Sequence, residues 1–201
     1  MARDTQKVIS TGSDTSCLGN WVWTRYWEKH NIKLRVITAY IPCITNNSGA
    51  QTTYRQHQRY LDRTKDDISP RHSILENIYT DIAQWSELGD QIVSKIGLNE
   101  KITPETVTEI FENVGLTEAI THHHCDTGMV TMYQSQSHPI DGIYTSSTLQ
   151  VSSGGYIPFV IISSYHRLLW LKNEFDYAFG AKVDTLMPHT VRRLKFQEPT
   201  L

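Results

Sequence analysis

The sequence is short of cysteine, of long apolar runs and of net charge, and each shortage excludes something. Its three cysteines, Cys17, Cys43 and Cys125, have no paired spacing. An odd, scattered set is not a disulfide framework and fits an intracellular, reducing compartment. No stretch nears the roughly 20 apolar residues of a membrane span. Residues 1–16 lack the apolar segment of a secretory leader. The formal net charge is only −2, so no global positive field draws the chain to nucleic acid. The small basic run Arg192-Arg193-Leu194-Lys195 leaves room for weak, local nucleic-acid contact or for a solvated tail.

Hydrophobic residues make up 39% of the 201, which is globular composition on the polar side. This length suits one domain, placed at residues 1–173, with a C-terminal tail at 174–201. Alternation and aromatic content predict strands over Asn20–Trp27 and Leu34–Tyr40, joined as a hairpin. Residues 51–65 read as a polar helix with Tyr54, Gln58 and Leu61 on one side. Pro70 opens a second helix, in which Ile74, Leu75, Ile78, Ile82 and Trp85 fall at helical spacing. Residues 91–96 read as a strand. A loop over 97–103 precedes a helix that starts at Pro104 and stops at Gly115. The second half reads as β-rich, with strands at 129–133, 141–146, 156–162 and 168–172.

Two features carry chemistry. An apolar strand, Ile140-Asp141-Gly142-Ile143, bears one carboxylate, and Ser164-Tyr165-His166-Arg167 bears an imidazole some twenty residues later. That pairing lets a carboxylate orient a histidine at the end of a sheet. Taken residue by residue, Asp141 reads equally well as a turn cap and His166 as a satisfied buried histidine. Tyr40 at a strand end is by default a half-buried aromatic, and Asn99 a turn residue. His122-His123-His124-Cys125, with His138 nearby, invites a zinc reading, but consecutive histidines lack the usual ligand spacing.

Together, Thr38-Ala39-Tyr40-Ile41-Pro42-Cys43, Gly97-Leu98-Asn99-Glu100 and the Asp141 and His166 segments resemble the endonuclease/exonuclease/phosphatase superfamily. The likeness is greatest to the endonuclease domains of retroelements. The resemblance implies a four-layered α/β sandwich: two mixed or antiparallel sheets packed together, with flanking helices. It also implies that strands of the family, one bearing a metal-binding Glu, would precede residue 1. The activity implied is Mg²⁺-dependent hydrolysis of phosphodiesters. Tyr40 matches the phosphate-binding Tyr and Asn99 the Asn of the nucleophile loop; Asp141 and His166 match the orienting carboxylate and its imidazole.

The departures from that pattern set the functional expectation. Gly97 stands where the family has the water-activating Asp, Tyr165 where it has a metal-ligating Asp, and Ile41 where many relatives carry a basic residue. Mg²⁺ needs oxygen ligands, commonly one or two carboxylates, and a missing general base costs ~10²–10⁴ in rate. The expectation is therefore a degenerate domain without hydrolase activity and without a cofactor, serving as a binding or structural module. One alternative is an active enzyme that uses Mg²⁺ at a relocated site, with Glu100 or a partner's acid as ligand. Another is a scaffold subunit. Parity puts Trp21, Trp23 and Trp27 on one side of a strand, and that side is expected to be an open apolar face for a protein partner or for self-association.

Overall fold

Alternation of buried and open positions in residues 33–40 and 90–97 builds the centre of the molecule. The computed structural model describes residues 8–14, 19–27, 33–44, 52–99, 109–124, 129–133, 139–161 and 164–173. Six strands form a mixed sheet: β1 (Val8–Ser13), β2 (Trp21–Trp27), β3 (Lys33–Tyr40), β4 (Asp90–Gly97), β5 (Leu116–Glu118) and β6 (Asp141–Ser146). Their order is β1-β2-β3-β4-β6-β5. Among the described residues only β3 and β4 run parallel, and the crossover between them carries α1 (Thr53–Thr64) and α2 (Pro70–Glu87).

Both helices start where the sequence supplies caps. Thr52 and Ser69 accept hydrogen bonds from the backbone N–H groups of Arg55 and His72, and Pro70 takes the first helical position, which needs no donor. Helix α2 then lays Ile74, Ile78, Ile82 and Trp85 on the sheet face formed by Trp21, Ile37, Ala39, Ile92 and Ile96. On the opposite face, Val93 and Ile143 meet Leu169, Leu171 and Tyr156 of a two-stranded sheet, β7 (Val151–Tyr156) with β8 (Leu169–Asn173). Two short helices, α3 (Glu109–Glu112) and α4 (Ala119–His124), flank β5. Helices on one side of the large sheet and a second sheet on the other give the α/β sandwich class that the resemblance implies.

At Trp21 and Trp23 the face expected to be open is covered. Trp21 is buried, and its indole N–H donates to Asp81 Oδ2 at 3.2 Å. The Trp23 ring covers Gly12 across the β1–β2 pair; a Cβ on that glycine would stand 2.5 Å from the indole. The Arg35 guanidinium lies between Trp23 and Trp85, 4.2 and 4.1 Å from their ring centroids. Parity placed Trp21 and Trp23 on one side correctly, but α2 covers them there. Cross-strand neighbours Arg25 and Arg35 carry like charge, and such a pair is unfavourable. The fully buried Asp90 carboxylate resolves it by taking hydrogen bonds from both.

Two smaller expectations also change. Residues 129–133 are not a strand; one isolated bridge, Met132 to His166, holds them. The strand expected at 156–162 is displaced: β7 ends at Tyr156, and Phe159–Ile161 is a 3₁₀ turn that follows Pro158, which has no N–H to give a ladder. The true strand, with Ser152-Ser153-Gly154-Gly155 in its middle, has weak strand propensity and was passed over. Pro104, the 45–50 loop, and residues 174–201 with their basic run lie outside the described residues. Among the described residues no helix is long and apolar enough to cross a membrane.

Candidate functional site

Strands β3, β4 and β6 bring Tyr40, Gly97 and Asp141 into one row: Tyr40 pairs with Gly97, and Gly97 with Asp141. The row lies at the carboxyl ends of the parallel pair, where open α/β sheets commonly form their ligand crevice. Local hydrogen bonds tie the loops at this end together. Ile41 N–H donates to the Gly97 carbonyl, and Leu98 N–H to that of Ile140, each at 2.8 Å. Arg71, on the first turn of α2 and 7% exposed, donates to the carbonyls of Pro42 and Leu98 at 2.8 and 3.0 Å. One buried guanidinium thus joins the loop after β3 to the loop after β4.

Asp141 and His166 meet at the end of this row. Asp141 Oδ2 lies 2.9 Å from His166 Nδ1; the carboxylate side chain is 14% exposed and the imidazole 45%. The carboxylate accepts the Nδ1 proton, so the ring presents Nε2 outward. Thr131, fully buried, fixes the strand that bears the acid: its Oγ1 accepts from the N–H groups of Ile140 and Asp141 at 2.8 and 3.1 Å. Thr131 O accepts from Arg167 N–H at 2.7 Å, which holds the histidine segment against the same loop. Neither Thr131 nor Arg71 was singled out from the sequence. One looked like a strand residue and the other like an ordinary helix start.

The remaining candidates occupy different places. Asn99 takes a left-handed backbone conformation, φ 51°, which asparagine tolerates better than most residues. Its Nδ2 donates to the Ile41 carbonyl at 2.8 Å, so its amide nitrogen is committed to the loop. Tyr40 is half exposed, and Tyr165 is 71% exposed with its phenol clear of the core. Arg167 stacks on Phe159, 4.4 Å from the ring centroid, and Phe159 meets Tyr133 edge-on at 5.6 Å. Glu100, Cys125 and His138 lie outside the described residues. His122, His123 and His124 lie on α4, where His124 Nε2 donates to the Gly154 carbonyl at 2.8 Å.

Among the described residues, the donors at this end of the sheet do not fit Mg²⁺. Asp141 spends Oδ2 on His166, Gly97 has no side chain, and a phenol is a poor hard-cation ligand. Among the described residues, no three His, Cys, Asp or Glu side chains gather so as to hold a metal ion.

No family model matches the sequence, and no curated protein matches it. Solved structures do resemble the fold. A 3′ phosphatase from Neisseria, bound to product DNA hairpin, is 11% identical with a TM-score of 0.58, covering 84% of this chain and 72% of its own. An AP endonuclease from Archaeoglobus fulgidus is 13% identical at TM-score 0.56, with 84% and 72% covered. The endonuclease domain of a telomere-specific non-LTR retrotransposon is 11% identical at TM-score 0.52, with 86% and 70% covered. At these identities the likeness is one of fold.

Proposed function

We propose that this chain, which has the endonuclease/exonuclease/phosphatase fold, binds a nucleic-acid phosphodiester through His166 and Asp141 without hydrolysing it. The observation that carries this reading is the row Tyr40–Gly97–Asp141. The position facing the Asp–His pair is a glycine, so no carboxylate stands there to activate water. A positioned base contributes ~10²–10⁴ in rate. The unfit donor set removes the electrostatic stabilisation that a metal would give a transferring phosphoryl group.

Binding does not need those groups. An imidazolium held by a carboxylate donates a charge-assisted hydrogen bond to a phosphate oxygen. Arg167 follows His166 in sequence and adds positive charge. Tyr40, Tyr133 and Tyr165 are exposed aromatics, and unpaired bases stack on such rings at about 1–3 kcal/mol per base. The DNA bound to the Neisseria phosphatase supports nucleic acid as the ligand class.

The test combines two assays on the full chain. Fluorescence anisotropy with a single-stranded oligonucleotide should give salt-dependent binding, weakened by His166→Ala. Incubation of plasmid and abasic DNA with millimolar Mg²⁺ or Mn²⁺ should give no cleavage. Turnover that disappears in Asp141→Ala or His166→Ala would refute the proposal.

A further inference from the structure

Among the described residues, the second layer of the sandwich covers only part of the large sheet. Strand β7 lies on the α4 side, where His124 Nε2 donates to the Gly154 carbonyl, and β8 packs through Leu169 and Leu171 on Ile143 and Val93. Beneath and beyond β8 the large sheet runs on through β4, β3, β2 and β1. Exposure on that face rises as the cover ends. In one cross-strand row Ile143 is buried, Lys95 and Thr38 are exposed, and Val22 is 54% exposed. A sheet face of this kind is ordinarily closed by a packed second layer.

The free edge of β8 points into that space. In an antiparallel ladder, alternate residues of a strand bond to the same neighbour. Leu168 O accepts from Ile157 N–H, so Trp170 and Lys172 bond to β7 in the same phase. The odd-numbered positions direct their backbone groups to the other side. The chain uses that side once already: Arg167 N–H donates to Thr131 O, and Tyr165 O accepts from Tyr133 N–H. Past this short bridge, the backbone groups of Leu169 and Leu171 have no hydrogen-bond partner among the described residues. No proline and no inward charge guards this edge, and those are common devices against strand addition.

We propose that β8 accepts an extended segment of a partner polypeptide as a third strand of the small sheet. A neighbour about 4.8 Å from β8 lies over Lys95 and Thr38. Its backbone pairs with Leu169 and Leu171. Its inward side chains are small and apolar, with one carboxylate for Lys95, which has no ion-pair partner among the described residues. Two strands alone are marginal, and a third stabilises the sheet. A second copy of this chain does not fit: antiparallel pairing of β8 with its own copy puts two large sheets under the same strands. The Neisseria phosphatase fold leaves material for such a strand, since this chain covers 72% of it and more than a quarter of that fold has no counterpart here.

The test is amide hydrogen exchange on the full chain, followed by ¹H–¹⁵N NMR. In the free protein, the Leu171 amide should exchange at least about ten-fold faster than those of Trp170 and Lys172. The probe is the peptide acetyl-TVTETVT-amide, added up to about 5 mM. It should bind saturably and slow Leu171 exchange about ten-fold. Two versions N-methylated on opposite edges should differ: one loses binding and the other keeps it, because only one edge of the peptide faces β8. Lys95→Glu should shift the preference from this peptide towards acetyl-TVTKTVT-amide by about two- to five-fold. Slow Leu171 exchange in the free chain (an edge already covered), no protection by about 5 mM peptide, equal behaviour of the two methylated versions, or an unchanged charge preference in Lys95→Glu would each overturn the proposal.

Discussion

Gly97 and Asp141 face each other across β4 and β6, and a Cβ at position 97 would stand 3.3 Å from Asp141 Oδ1. The absence of a side chain there is what gives the carboxylate room beside His166. Replacing Gly97 with Asp puts a second carboxylate against the first. Two such groups cannot both ionise cheaply, so the pair holds a proton above the usual carboxylate range. A raised folded-state value makes the added cost absent in acid and present once pH rises through it. Gly97→Asp should therefore melt with the parent near pH 4 and below it at pH 7, by an amount on the order of 1 kcal/mol. It should gain no Mg²⁺-dependent cleavage. Calorimetric melts at the two pH values and a plasmid-nicking assay check this; cleavage by the variant would make the glycine the sole lesion.

Asp141 acts through His166 in the proposed binding mode, so the two should behave as one unit. Asp141→Asn and His166→Ala are each expected to weaken oligonucleotide binding about 5–10-fold, the scale of one charge-assisted hydrogen bond. The double variant should be no weaker than His166→Ala alone, leaving an interaction energy as large as the single effects. Anisotropy titrations at fixed salt measure this. Strictly additive losses would mean that the 2.9 Å contact has no part in binding.

Which parts of this were legible in the sequence follows from the range of the forces involved. Helix α2 was readable because its caps and apolar period are local: Ser69, Pro70 and the series Ile74, Ile78, Ile82 lie within a few turns. The pairing of Asp141 with His166 was suggested by motif order, and the structure sets their separation. What covers Trp21 and Trp23 was not readable, because Asp81, Trp85 and Arg35 reach them only after folding. Residues 8–13 gave no strand signal, since β1 is an edge strand with its Val, Ile, Ser and Thr mostly exposed. His57 was passed over as one more polar residue on α1. Its significance lies in burial, which the helical period alone did not reveal.

Asp90 holds the closed face together. Its side chain is fully buried and bridges Arg25 to Arg35, whose guanidinium is itself stacked between two indoles. Removing the acid leaves two like charges adjacent, one of them nearly without solvent. Breaking a buried ion pair from one side typically costs 3–5 kcal/mol. Asp90→Ala is expected to lose about that much in urea unfolding, or to fail to accumulate as folded protein. Arg35→Met, which also removes a buried charge but keeps an apolar stem between Trp23 and Trp85, should lose clearly less. Equal losses would mean that the carboxylate is no more than packing.

The pH dependence of stability separates His57 from the other buried titratable groups. Burial disfavours its charged form, so the folded state takes up that proton only below the ordinary value of about 6.5. Between those two values the unfolded chain binds more protons, and stability falls as pH falls. Asp81 has the opposite sign: burial raises its carboxyl, so its contribution is full in acid and is lost as pH climbs past the usual carboxylate range. A melt series from pH 7.5 to 4.5 should therefore show an acid-side decline of at most about 1.4 kcal/mol per pH unit from His57. His57→Gln should flatten that decline, and Asp81→Asn should leave it in place. A decline as steep in His57→Gln as in the parent would assign it to other groups.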